Sequence, residues 1–86
     1  MTNEYQEMLA RHRVEREEFL AQRQVERLAL KLRQENNLVI AERENRIAKS
    51  QVLISNASEL FHFTKVYLEI WKKLQKRQLK ELNDLN

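Results

Sequence analysis

The 86-residue chain contains no cysteine, no glycine and no proline. Without cysteine it has no disulfide framework, no thiolate nucleophile and no thiolate-bound zinc. Without glycine and proline it lacks the residues that favour tight turns with positive φ, glycine helix stops and phosphate-binding loops. A sheet protein with several hairpins is difficult to build under that restriction. The composition therefore predicts an all-α protein.

Long apolar runs are also missing. No run approaches the roughly 20 residues that a membrane-spanning helix needs. The N-terminal sequence MTNEYQEMLARHR has no apolar signal-peptide core. We therefore expect no membrane span and a cytoplasmic location, which agrees with the lack of cysteine.

Charged and helix-favouring residues dominate what is present. Ala, Glu, Lys, Leu and Arg together make up more than half of the sequence, a composition typical of long helices and coiled coils. A chain of this length forms at most one domain and has little core relative to its surface. We expect one helical domain over residues 1–86, arranged as a long hairpin that packs as a dimeric or hetero-helical bundle.

Apolar side chains in the first half of the chain recur with heptad-like spacing, interrupted by Glu18 and Glu35. This row consists of Val14, Ala21, Val25, Leu28, Leu32 and Val39. Such a seam predicts a long helix that packs against another helix. A second apolar group lies on a different side and indicates more than one neighbour. It consists of Tyr5, Met8, Leu9, Phe19, Leu20 and Leu30.

The expected boundaries are a helix over about 3–54, a turn at about 55–58 and a helix over about 57–84. Thr2 or Asn3 can cap the first helix. Asn3 has capping-box spacing to Gln6, and Asn56 has the same spacing to Glu59. The polar Ser55–Ser58 segment favours a turn, with a helix running straight through as the alternative.

The pair Asn36-Asn37 invites a break in the first helix. The apolar row resumes after it, displaced by one residue, at Ile40, Ile47 and Ile54. A small displacement of this kind favours a continuous helix with a stutter. A break at the asparagines is the alternative.

The segment Leu60–Leu74 is the densest apolar stretch and holds most of the aromatic residues. Its pattern predicts a strongly amphipathic helix, although its aromatic and β-branched content also suits a strand. We expect Phe63, Tyr67 and Trp71 to form the internal seam of the hairpin. Phe61 and Leu68, at the edge of the apolar side, are expected to contact a partner.

A second helix over 57–84 covers only the second half of the first helix. The N-terminal arm would then project with apolar residues exposed, and a second copy or another protein is the expected cover.

Glu59 and His62 have the E-x-x-H spacing that di-iron bundles use. His62 nevertheless falls on the charged side of its helix, with Lys65 and Lys73, so we expect a solvated residue. His12 lies among arginines, a poor setting for a cation, and is also expected at the surface. With few hydroxyl and imidazole groups and no glycine for an oxyanion hole, we expect no enzyme, cofactor, metal or small-molecule substrate.

The C-terminal helix carries a basic row that consists of Lys72, Lys73, Lys76, Arg77 and Lys80. Such a row can follow a phosphate backbone, but Glu69, Glu81 and Asp84 lie nearby. Salt bridges and solvation are the competing use of these side chains.

These patterns predict a non-enzymatic protein–protein interaction module, such as a structural subunit, an assembly factor or a small regulator. It would dock a protein partner or a second copy by coiled-coil packing, with charged flanks that set the register. The predicted interface consists of Val25, Leu28, Leu32, Ile40, Ile47, Phe61 and Leu68. The alternative is a dimeric helical nucleic-acid-binding protein that uses the basic row.

Overall fold

The computed structural model describes residues 3–85 as two α-helices of equal length, paired antiparallel. Helix α1 spans Glu4–Glu42 and helix α2 spans Arg46–Asp84, with 39 residues each. The antiparallel order brings Arg11 against Glu81 and Arg33 against Glu59. The predicted all-α hairpin is confirmed.

The start of α1 follows from its capping residue. Asn3 has an extended backbone, and its side-chain oxygen accepts a hydrogen bond from the Tyr5 backbone N–H at 3.0 Å. Glu4 and Glu7 lie in the first turn, where negative charge is favoured by the helix dipole. The expected cap at Asn3 is confirmed.

The reversal between the helices lies at Arg43–Asn45 and not at 55–58, so the predicted turn is wrong. Asn45 has φ −169° and ψ 175°, and its side chain accepts a hydrogen bond from the Ala48 backbone N–H at 2.8 Å. The Arg43 and Glu44 backbone N–H groups bond back to the last turn of α1. Since no described residue has a positive φ, the chain reverses without glycine.

The Ser55–Ser58 segment lies inside α2 because Asn56 is used across the hairpin instead of as a cap. Gln34 Nε2 donates to the Asn56 carbonyl oxygen at 2.9 Å, and Asn56 Nδ2 donates to the Gln34 carbonyl oxygen at 3.4 Å. The alternative of an uninterrupted helix at this segment is therefore correct. Helix α1 also runs through Asn36-Asn37 without a break, as predicted.

Equal helix lengths remove the projecting arm that the sequence suggested. The first turns of α1 pair with the last turns of α2 through Arg11, His12 and Glu81. The expectation of an unpaired N-terminal arm is wrong, because the second helix begins eleven residues earlier than 57.

The seam between the helices follows an 11-residue repeat. On α1, Met8, Phe19, Leu30 and Ala41 recur at this spacing and are among the less exposed positions of the helix. On α2 two series of residues have the same spacing. The first consists of Val52, Phe63 and Leu74, and the second of Asn56, Tyr67 and Gln78. Eleven residues in three turns give 3.67 residues per turn, close to a straight α-helix. The helices can therefore stay in contact along their full length.

Aromatic rings fill the middle of the seam. Phe19 lies with its ring centroid 5.7 Å from that of Tyr67 and 5.3 Å from that of Trp71. Phe63 and Tyr67 are 4.6 Å apart. Offset and tilted contacts of this kind are favourable beyond the area they bury. Phe63, Tyr67 and Trp71 thus lie in the internal seam, as predicted.

The hairpin is a single layer of helices. Its Cα atoms extend 67 × 19 × 7 Å, with a radius of gyration of 19.6 Å, whereas a compact chain of this length has about 12 Å. Ala41 is the one fully buried apolar side chain in residues 3–85. No stretch within the described helices is apolar and long enough to cross a membrane.

The capping role of Asn45 gives a direct test of where the chain reverses. Asn45→Ala removes the oxygen that accepts the Ala48 N–H, so we expect unfolding to become easier by about 0.5–2 kcal/mol. Denaturant unfolding followed by circular dichroism measures this. The matched control Asn36→Ala, inside α1, should not lower the free energy of unfolding and should raise it by up to roughly 0.7 kcal/mol. Equal effects at both positions would contradict the assigned turn.

Candidate interaction surfaces

The outer edge of α1 carries the heptad row, away from α2. At 100° per residue its members lie roughly opposite the side that meets α2. Val25, Leu28 and Leu32 expose 64%, 54% and 59% of their surface. We call this surface the α1 edge row, and it consists of Val14, Ala21, Val25, Leu28, Leu32 and Val39.

The predicted interface residues are all exposed, but they do not form one surface. Val25, Leu28 and Leu32 lie together on the α1 edge row. Ile47 and Phe61 lie on the opposite edge of the hairpin, on the outer side of α2. The two remaining members, Leu68 and Ile40, lie towards the broad faces of the layer.

Leu68 belongs to a groove on one broad face. The groove is lined by Phe19, Leu20, Arg23, Thr64, Tyr67, Leu68 and Trp71. The other broad face has a groove bordered by Leu30, Phe63 and Val66, with the Arg33–Glu59 ion pair beside it. Both grooves are open clefts between the two helices, because no third helix among residues 3–85 lies over them.

The basic row is exposed, but its members differ in their partners. Lys72, Lys76 and Lys80 lie on the outer side of α2 and form no ion pair with any side chain of residues 3–85. Arg77 instead faces α1, where it pairs with Glu15, and it also bonds Glu81 at 2.6 Å. Salt-bridge use is therefore correct for Arg77.

The open end of the hairpin is closed by a polar cluster that we call the terminal clamp. It consists of Arg11, His12, Glu15, Arg16, Arg77, Gln78 and Glu81. His12 exposes only 1% of its surface, so the expectation of a surface histidine is wrong. The 11-residue repeat would have found it, because His12 stands eleven residues before Arg23 and twenty-two before Gln34.

Gln78 satisfies the backbone at the centre of the terminal clamp. Its Nε2 donates to the His12 carbonyl oxygen at 3.0 Å, and its Oε1 accepts from Arg16 Nη1 at 3.2 Å. A buried amide needs such partners, since an unpaired buried polar group costs about 1–3 kcal/mol. Glu15 Oε1 is buried without a hydrogen-bond partner among the described residues.

Glu81 collects three donors from both helices. Its carboxylate accepts from His12 Nε2 at 2.7 Å, from Arg11 at 2.8 Å and from Arg77 at 2.6 Å. These bonds, that of His12 foremost and that of Arg77 next, lower the pKa of Glu81 from 4.5 to about 2. The pKa of Arg77 is raised, first by its hydrogen bond to Glu15 and then by that to Glu81.

His62 is exposed, as predicted from its position on the charged side of α2. It borders the grooves beside Glu59, whose carboxylate is paired with Arg33. The Glu59 carboxylate of the E-x-x-H pattern is therefore engaged by Arg33, although it borders the same grooves as His62.

The chain matches no protein-family model, no curated protein and no solved structure.

The terminal clamp predicts unequal roles for the two histidines. His12→Ala leaves Glu81 without its first donor and opens space in the seam, so we expect a loss of about 1–3 kcal/mol in the free energy of unfolding. His62→Ala, the matched control, should change it by less than about 0.5 kcal/mol. Chemical denaturation of the three proteins measures the difference, and an equal response would remove the structural role of His12.

The lowered pKa of Glu81 predicts a loss of stability in acid. A carboxylate with a depressed pKa stabilises the fold above its unfolded value, and this contribution disappears as the pH falls from 4.5 towards about 2. Thermal unfolding across this range should show a falling Tm. Glu81→Gln should have a lower Tm than the unchanged protein near neutral pH, and its Tm should fall less on acidification. An equal fall in Tm for both proteins would contradict the stabilising role of Glu81 in the terminal clamp.

Proposed function

We propose that this chain is a non-enzymatic protein interaction module that docks a helical partner through its exposed apolar surfaces. The single observation that carries the proposal is the α1 edge row, a heptad seam on the side of α1 that faces away from α2. A seam of this period suits a second helix, and α2 uses a different side of α1.

The surface area supports the same conclusion. The chain exposes 7248 Å², whereas a compact protein of its mass exposes about 5,400 Å². The excess of about 1,800 Å² is larger than the roughly 800 Å² that each partner contributes to a standard protein interface. The hairpin therefore has enough surplus surface to be buried against a partner.

The side chains that flank the α1 edge row also suit close packing. Gln22, Gln24, Ala29 and Asn36 occupy flanking positions and carry no charge. These four flanking positions let a neighbouring helix approach without desolvating a charge there, which is costly when unpaired. The flanking Glu17 and Lys31 are charged and exposed. Burying a Val or Leu side chain fully contributes about 1.5–3 kcal/mol.

Two of the groups that could support catalysis, His12 and Glu81, have structural roles. His12 is buried and bonded to Glu81, and Glu81 is shared with two arginines. These bonds join the two helices at their open end. They support a binding role, because the rest of the chain's surface is apolar or solvated.

A specific observation favours a second candidate, nucleic-acid binding. Lys72, Lys76 and Lys80 form an exposed row on the outer side of α2, with Lys73 beside it. Four neutralised phosphates would make such binding strongly salt-dependent. Arg77 is already engaged by Glu15 and Glu81, which weakens this candidate.

One pair of variants separates the two candidates. Leu28→Lys places a charge in the α1 edge row, and Lys76→Glu reverses one charge of the basic row. Both positions are exposed, so circular dichroism should show the hairpin intact in each. For the docking proposal we expect Leu28→Lys to abolish self-association in sedimentation experiments, or capture by a partner, while Lys76→Glu changes little.

The reverse result would replace docking by nucleic-acid binding. It requires retention on an oligonucleotide column that falls steeply between about 50 and 200 mM salt and is lost in Lys76→Glu. Leu28→Lys should then bind normally.

A further inference from the structure

We propose that the partner of the α1 edge row is a second copy of this chain, with the two α1 helices antiparallel and the two-fold axis level with residue 23. This inference rests on the proposed function and names the occupant of its surface. In this arrangement Glu4 of each copy lies level with Glu42 of the other, so the helices overlap over their full length.

Four of the six residues in the row face one another in this register, while Leu28 lies level with Glu18 of the second copy and Val39 lies level with its Glu7. Counting from the two-fold axis, Val14 lies level with Leu32 of the second copy, and Ala21 lies level with Val25 of the second copy. These four residues are apolar and lie on the outer edge of α1. The pairing of large with small side chains suits an antiparallel seam, in which unlike positions face each other.

The two acidic residues of the row select among the possible registers. In a parallel pair, Glu18 and Glu35 would each face their own copy. In an antiparallel pair centred between Val25 and Leu28, Glu18 would face Glu35 of the second copy on both sides of the axis. Like charges that face each other within an interface are strongly unfavourable.

The register centred at residue 23 keeps Glu18 and Glu35 of the two copies apart. Its one like-charge pair of row positions, Glu4 with Glu42 of the second copy, lies at the exposed ends of the helices, where Glu42 is also bonded to Lys49. Glu35 lies level with Arg11 of the second copy, and Glu18 lies level with Leu28 of the second copy. Arg11 is exposed and uses one of its Nη atoms for Glu81, which leaves further guanidinium donors for Glu35.

The flanks of the row add a second opposite-charge pair. Glu17 and Lys31 are both exposed and occupy the same flanking heptad position, two heptads apart. In antiparallel pairs such positions face each other. Glu17 of each copy thus lies beside Lys31 of the other, and Gln24 lies beside its own counterpart at the two-fold axis.

The basic row explains why the α1 edge is chosen over the α2 edge. A second copy on the outer side of α2 would meet the exposed lysines of that edge, and the net charge of each chain is +3. Pairing through α1 gives the helix order α2, α1, α1, α2. The lysine rows then lie at the two far edges, where their repulsion is smallest.

Because the chain has no cysteine, introduced cysteines report the register directly. Gln24→Cys should form a covalent dimer under mild oxidation. Leu32→Cys should not crosslink to itself, since the two copies of residue 32 lie about 27 Å apart along the seam. A mixture of Val14→Cys and Leu32→Cys should give a mixed dimer. Self-crosslinking of Leu32→Cys without that of Gln24→Cys would establish a parallel pair and overturn the proposal.

Charge reversal gives an independent readout. Lys31→Glu places Glu beside Glu17 of the second copy, so the dimer dissociation constant should rise roughly 2- to 30-fold. The double variant Glu17→Lys with Lys31→Glu should restore it. Lys65→Glu, at an exposed position on the outer side of α2 with no ion pair among residues 3–85, should leave it unchanged. Sedimentation equilibrium measures all four proteins. Failure of the double variant to restore dimerisation would contradict the register.

The outcomes also separate this inference from the proposed function. A dimer that Leu28→Lys abolishes, but that Gln24→Cys does not trap, keeps docking through the α1 edge row and overturns the register. A chain that stays monomeric at its highest soluble concentration overturns self-docking. In that case the proposed function stands only if a foreign helical partner is lost in Leu28→Lys.

Discussion

The constraint on which the whole structure depends is that two helices can cover only one side of each other. Helices α1 and α2 meet along their full length, yet Ala41 is the one fully buried apolar side chain of the described residues. A globular domain needs at least two packed layers to enclose a core, and this hairpin supplies one layer, 7 Å thick at its Cα atoms. The remaining sides of both helices must be solvated or covered from outside. Polar contacts such as those of Gln34 and Asn56 hold the pair together where apolar contacts are few.

Helix α1 carries two repeats that serve different neighbours. The inner side repeats every eleven residues, through Phe19 and Leu30, and suits a straight helix beside α2. The outer side repeats every seven residues, through Val25 and Leu32, and suits a partner around which α1 can wrap with a left-handed twist. A heptad row loses its alignment on a straight helix by about 20° per repeat. Contact with such a partner is therefore expected to bend the hairpin slightly.

The sequence predicts the helical class, the cap at Asn3, the passage through Asn36-Asn37 and the inner position of Phe63. It does not locate the reversal. Glycine and proline, which commonly mark a turn, are missing, and Asn45 and Asn56 both suit the role of N-cap. Only the structure shows that Asn45 bonds to the start of α2 and that Asn56 bonds across to Gln34. The shifted turn changes which residues of α1 lie beside α2, while the heptad row, whose Val25, Leu28 and Leu32 are predicted to dock a partner, lies on the outer side of α1. His12 is expected at the surface because its neighbours in sequence are arginines, whereas its 11-residue spacing to Arg23 and Gln34 indicates the inner side of α1.

The short reversal at Arg43–Asn45, with equal helices on either side, places both ends of the described chain at one pole. Residues 3 and 85 lie there together, joined through the terminal clamp, and the reversal lies at the other pole, about 58 Å of helix away. Anything attached to either end, whether a label or another polypeptide, therefore emerges from the same tip. A hairpin of this kind can be inserted into a loop of a host protein without separating the two chain segments that flank the insertion.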